Sequence, residues 1–180
     1  MGKYEMERIR EMKEFLKEKK EEAEGRRMEE MENGWIRDRD SIQSRLASVL
    51  RSLAAGRTGG VIVIAYLRSS YILRSHDFYI AYYEEEPFVE EEPEYLYFSF
   101  APLFHRAETD WAMLEKEMEG HFIRIQDGER EGIRRWYMEG LYRKFGDILE
   151  KTLYEWEEKT GVGVYYGSYM DEVKRIGTIG

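Results

Sequence analysis

At 180 residues and 21.6 kDa the chain is long enough for one well-buried core and short for two. Its net charge of −9 disfavours nucleic acid as a partner, because phosphate affinity comes from clustered Lys and Arg. The absence of cysteine excludes a disulfide framework, a thiolate zinc site and a cysteine nucleophile; with neither a basic-then-apolar leader nor an apolar run of bilayer length, the chain reads as soluble and cytoplasmic.

Residues 3–32 are helix formers almost throughout, with Met6, Ile9, Met12, Leu16, Ala23 and Met31 in a loose stripe at helical spacing. Between Lys17 and Arg27 the only apolar side chain is Ala23, so that stretch is expected to be solvated or frayed. Residues 1–33 are therefore read as a charged helical extension, mobile or packed on a partner, and 34–180 as a single α+β domain.

From Asn33 to Tyr83 every basic residue other than histidine is Arg, and neither Lys nor Glu occurs. Arg suits packed ion pairs, so these charges are expected to be paired. Asp40 to Gly56 reads as a helix with Asp40 as N-cap, Ile42, Leu46, Val49, Leu50 and Leu53 on one face, and Gly56 past its end. Gly59 and Gly60 turn the chain into Val61–Leu67, a short β-branched run that reads as a buried strand. Tyr71–Leu73 and Phe78–Tyr83 read as two further strands joined by a turn at Arg74–Asp77.

Glu84–Glu94 holds seven Glu with Pro87 and Pro93 as breakers. Beyond it, Tyr95–Phe100 alternates Leu96, Phe98 and Phe100 against Tyr95, Tyr97 and Ser99, giving a strand with one apolar and one more polar face. From Thr109 the period is helical, with Trp111, Leu114 and Met118 on one side and Gly120 leaving the continuation open. Glu129–Lys159 is a long helix closed by Gly161, Val162–Tyr166 an edge strand, and the end beyond Ile176 loose. The expected architecture is an antiparallel sheet of three to five strands packed against three or more helices.

No complete catalytic set is visible. Gly56-Arg57-Thr58-Gly59-Gly60 follows a helix and precedes a strand, the reverse of the order that aims helix amides at a phosphate. Ser75-His76-Asp77 has the residue types of a hydrolytic triad, but neighbours on extended backbone point to opposite faces; it reads as a polar turn in which His76 keeps acid/base capability. Glu117 and His121 share a helical face as half of a metal site, and no other half is apparent.

The Glu tract has three readings: a solvated loop, a loop folded back on the Arg segment, or a docking surface for a basic partner with Phe88 and Val89 at its tip. Tyr residues concentrate on the expected strands, where their hydroxyls reach an edge or a ligand. The leading expectation is a non-catalytic interaction protein that engages another protein through the sheet face or through Glu84, Glu85, Glu86, Phe88, Glu90, Glu91 and Glu92, without a cofactor; a further reading is a self-associating protein built through residues 3–32. The alternative is a small enzyme or ligand-binding domain in which Tyr66, Arg68, Arg74, His76 and Tyr82 line a pocket on the exposed side of the sheet.

Overall fold

A computed structural model describes residues 3–37, 42–156 and 161–179. Helices α1 (Lys3–Arg37) and α2 (Ser44–Ala54) lead into strand β1 (Val61–Tyr66), the short helix α3 (Arg68–Ile72) and strands β2 (Asp77–Tyr83) and β3 (Glu94–Ser99). Helices α4 (Ala101–Phe104), α5 (Ala107–His121) and α6 (Asp127–Glu155) follow, and strands β4 (Val162–Ser168) and β5 (Val173–Ile179) close the chain. The fold is α+β, as expected, with one five-stranded sheet in the order β3-β2-β1-β4-β5.

The sheet is mixed where an antiparallel one was expected. β1–β2, β2–β3 and β4–β5 pair antiparallel, but β4 lies parallel to β1, with Val61 opposite Gly163 and Tyr66 opposite Ser168. The reason is the long crossover: after β3 the chain runs through three helices before it re-enters the sheet, which is the connection a parallel neighbour requires. Residues 162–166 thus form an interior strand instead of an edge, and the C-terminal residues expected to be loose pair in β5. Tyr71–Leu73 is not a strand either. Ser70 and Leu73 amides bond back to Leu67 and Ser69, the Ser70 hydroxyl donates to the Asp77 carbonyl, and the chain folds into α3 instead of a hairpin.

α2 carries the apolar face expected of it, with Leu46, Leu50 and Leu53 buried, and Gly56 follows it with φ 74°, a left-handed value that favours glycine. Asp40, the expected N-cap, lies outside the described residues. α5 runs through Gly120 to His121, and the segment to Gln126 is irregular. The main core lies between one sheet face, with Ile62, Ile64, Phe78, Ile80 and Val164, and the helices, chiefly Tyr137, Leu141, Phe145 and Leu149 of α6.

α1 packs along α5 and α6. Ile9, Met12, Leu16, Ala23, Met31 and Trp35 are buried there. The stretch expected to be solvated is buried in part through charge. Glu24 sits between Lys20 and Lys144 at 2.5 and 2.7 Å, and Arg27 reaches Asp110 at 2.6 Å. A Cβ on Gly140 would stand 1.9 Å from the Glu24 carboxylate, so that glycine is what lets the α1 side chain approach the α6 backbone.

Candidate interaction surface and a buried histidine cluster

Strand alternation sends one set of side chains to the helices and the other set to the opposite face of the sheet. On that second face Val63, Ala65 and Ala81 form a floor with Tyr79 and Tyr83, and the half-buried residues packed on it include Phe88, Tyr165 and Val173. Among the described residues no helix side chain belongs to this cluster. The rings form a connected sheet of their own: Tyr79 stacks on Tyr95 at 5.4 Å and meets Tyr169 edge-on at 4.9 Å, and Phe88 meets Tyr83 and Tyr169 at 5.8 and 5.6 Å. Tyr95, Tyr97 and Tyr169 remain 55%, 61% and 42% exposed, which is a large aromatic area left in water. Burial raises the pKa of Tyr79 and of Tyr83, so both stay neutral phenols with O–H groups to donate.

The Glu-rich connection lies beside this face and is pinned to it. Phe88 adopts φ 65°, an unusual value for a bulky residue, and that turn puts its ring on Tyr83. The Glu84 amide donates to the Glu90 carboxylate, closing the loop on itself. Of the expected pairing with the Arg segment, Glu94 supplies one instance: it meets Arg57 at 2.7 Å, and Arg57 in turn stacks on the Tyr82 ring at 3.8 Å. Glu84, Glu85, Glu86, Glu91 and Glu92 are exposed, and among the described residues none has an ion-pair partner. The tip residue Val89 is 63% exposed.

The five residues expected to converge on the exposed sheet face do not. Tyr66 and Tyr82 point to the helical side and belong to the main core. Arg68 opens α3 and is exposed, while Arg74 and His76 lie in the α3–β2 turn with φ 58° and 51°. His76 is buried at 1% exposure and takes part in a different constellation. Its Nδ1 lies 2.8 Å from the Tyr142 hydroxyl, and its Nε2 faces Glu108 at 3.6 Å. Glu108 accepts from Arg134 at 2.7 Å, and Arg74 approaches it at 3.6 Å. The arrangement, a carboxylate, an imidazole and a phenol in line, is capable of relaying a proton. Burial nevertheless holds the His76 pKa below the ordinary value, with Glu108 opposing and Arg134 reinforcing that shift, and the Tyr142 pKa is raised, again by burial.

His76 Nε2, Glu108 Oε2 and Arg134 Nε are buried without a hydrogen bond. The group is packed against Phe104, whose ring stacks on His76 at 5.6 Å, and against Tyr66 and Tyr71 around Tyr142. Of the α5 pair considered for a metal, Glu117 is taken by Lys19 at 2.6 Å and His121 stacks on Phe15 at 4.1 Å. Among the described residues no group of three His, Asp or Glu is placed to hold a metal ion.

Of the rings that build the open face, Tyr79, Tyr83, Tyr95 and Tyr97 were visible only as strand tyrosines, the alternation in 95–100 was the signal that placed two of them, and Tyr169, in the turn between β4 and β5, was missed. Glu108, Arg134 and Tyr142 carry no local motif. No family model, curated protein or solved structure matches this chain. Among the described residues no helix is long and apolar enough to cross a membrane.

Proposed function

We propose that this chain is a non-catalytic interaction protein whose tyrosine face, rimmed by the Glu-rich loop, docks a basic segment of another protein. The observation that carries this reading is the sheet face to whose cluster no helix side chain among the described residues belongs, on which Tyr95, Tyr97 and Tyr169 stay exposed beside five exposed carboxylates. Tyrosine rings give contact area at low conformational cost, and their faces attract Lys and Arg side chains. Exposed carboxylates at the edge favour the same partners and repel phosphate, which weighs against nucleic acid on this surface.

The test is selection of peptides from a random display library by the full chain, with affinity then measured for Y95A/Y97A and for E84Q/E85Q/E86Q. Enrichment of Lys and Arg among the selected peptides is expected, with each variant weakening binding about tenfold, the scale of one lost aromatic anchor or a few charges. Peptides without a basic bias, or affinities unchanged in Y95A/Y97A, would overturn the reading.

A further inference from the structure

The sheet has two outer edges, β3 and β5, and they are built differently. β5 carries Lys174 and Arg175, and its pairing to β4 skips Ile176 in a bulge. Charged side chains and bulges are what keep a strand edge from pairing with another chain. β3 has no Lys, Arg or bulge: Glu-Tyr-Leu-Tyr-Phe-Ser runs in unbroken register with β2, and its one charge is Glu94 at the start.

The free edge of β3 can be assigned residue by residue. The Phe100 amide donates to the His76 carbonyl at 3.0 Å, and the Asp77 carbonyl, opposite Ser99, is taken by the Ser70 hydroxyl. Bonded and unbonded pairs alternate in an antiparallel ladder, so Leu96 and Phe98 bond to β2 while Tyr95, Tyr97 and Ser99 aim their N–H and C=O groups away from it. Among the described residues no strand and no backbone bond outside the ladder covers Tyr95 or Tyr97 on that side.

Main-chain bonds hold an added strand whatever its sequence, so the side chains decide the occupant. Antiparallel pairing with β3 of a second copy, centred on Leu96, sets Tyr95 of each copy opposite Tyr97 of the other and pairs every N–H and C=O that these residues aim outward. Residues opposite each other across antiparallel strands share a face, so the tyrosines meet on the open face and Leu96 meets its own copy on the helical face. The same register sets Glu94 opposite Phe98 of the second copy, and on the Phe98 ring lies the Arg45 guanidinium, 5.3 Å from its centre. Arg45 is exposed and among the described residues has no carboxylate partner, while Glu94 is more than half exposed beside Arg57. Opposite charges at the two ends of one strand make the edge self-complementary about a two-fold axis. Pro93, which has no N–H, ends the ladder opposite Ser99.

We propose that the chain forms a two-fold dimer through β3, joining two sheets into one continuous sheet with both tyrosine faces on the same side. α1 is not the seam, since Ile9, Met12 and Leu16 are buried within their own chain. Dimerisation uses the backbone edge and does not depend on basic segments docking on the face.

Sedimentation velocity of the full chain from about 5 μM to about 1 mM is the test, because an edge of this length gives an interface at the weak end of specific ones. A reversible monomer–dimer equilibrium in the micromolar range is expected, with no larger species. L96K and L96E each set like charges face to face at the two-fold axis and should weaken the dimer at least about tenfold. Leu96 is only partly buried, and the stems of Lys and Glu retain its packing, so both variants should give the amide spectrum of a folded chain. An equimolar mixture of the two should recover the dimer as a heterodimer, a result that misfolded variants cannot give. A chain still monomeric at about 1 mM overturns the proposal. So does a dimer untouched by L96K and L96E, or a mixture of the folded variants that stays monomeric. A monomer that pairs instead with an added extended peptide along β3 gives the edge to a foreign strand and overturns it as well.

Discussion

His76 is held in a left-handed conformation at 1% exposure, with Tyr142 on one ring nitrogen and Glu108 facing the other. The groups that face it are Glu108 of α5, Arg134 and Tyr142 of α6, Asp77 and Arg74 of its own turn, and His105 beyond α4. Its folded pKa is lowered, mainly by burial, so the native state declines a proton that the unfolded chain accepts. The stability this neutral imidazole contributes is complete above the unfolded value of about 6.5 and is lost as pH falls below it toward the folded pKa.

The melting temperature is therefore expected to fall between about pH 7 and 5, and H76N should flatten that part of the profile. Asn tolerates left-handed φ and does not titrate, so the variant isolates the proton from the backbone. At pH 7 it should cost about 1–2 kcal/mol, since the Tyr142 hydroxyl loses a buried partner. An unchanged acid slope in H76N would assign the loss to other groups. The sequence showed the turn and the residue types at 75–77, but Tyr142 is 66 residues from His76, and no local pattern announces a partner at that distance.

At the scale of elements, strands whose pattern is local were legible and those defined by a distant neighbour were not. β1, β2 and β3 could be placed from β-branched content and alternation. β4 could be seen as a strand but not placed in the interior, because its parallel pairing to β1 depends on the whole α4–α6 crossover. α1 is the instructive case: its helical spacing was evident, but its burial rests partly on charged side chains that an apolar count ignores. Arg27 of α1, Asp110 of α5 and the Tyr137 hydroxyl of α6 meet in one buried group, with Asp110 at 2.6 and 3.0 Å from its partners.

Neutralising Asp110 leaves Arg27 with the exposed Glu30 carboxylate at 2.6 Å as its remaining partner and weakens the bonds that Arg27 and the Tyr137 hydroxyl make in the interior. D110N should destabilise the chain by about 1.5–3 kcal/mol, read from the denaturant midpoint. D110N/R27M, which removes both charges, should recover much of that loss. A single variant within about 0.5 kcal/mol of the parent would mean that α1 is not held by this group.

Over the whole molecule, the sequence showed that charge is sorted along the chain, with seven Glu in residues 84–94 directly after a segment whose basic residues are Arg. It did not show which sheet face the Glu-rich loop would join. That depended on Phe88 turning back onto Tyr83 and on the helices gathering on the other side. The consequence is a division of labour across one surface: exposed carboxylates at the rim act at long range, and tyrosines at the centre act on contact. Steering by the rim changes association rate and is screened within a Debye length of about 8 Å at physiological salt, whereas aromatic anchors set residence time. For a basic peptide bound to this face, E84Q/E85Q/E86Q should lower the association rate and flatten its salt dependence, with the dissociation rate nearly unchanged. Y97A, at a residue 61% exposed, should raise the dissociation rate about tenfold and leave both the salt slope and the melting temperature as they were. Stopped-flow association at several salt concentrations measures both. If Y97A slowed association and the Gln variant sped dissociation, the tyrosines would not be the anchor nor the glutamates the rim.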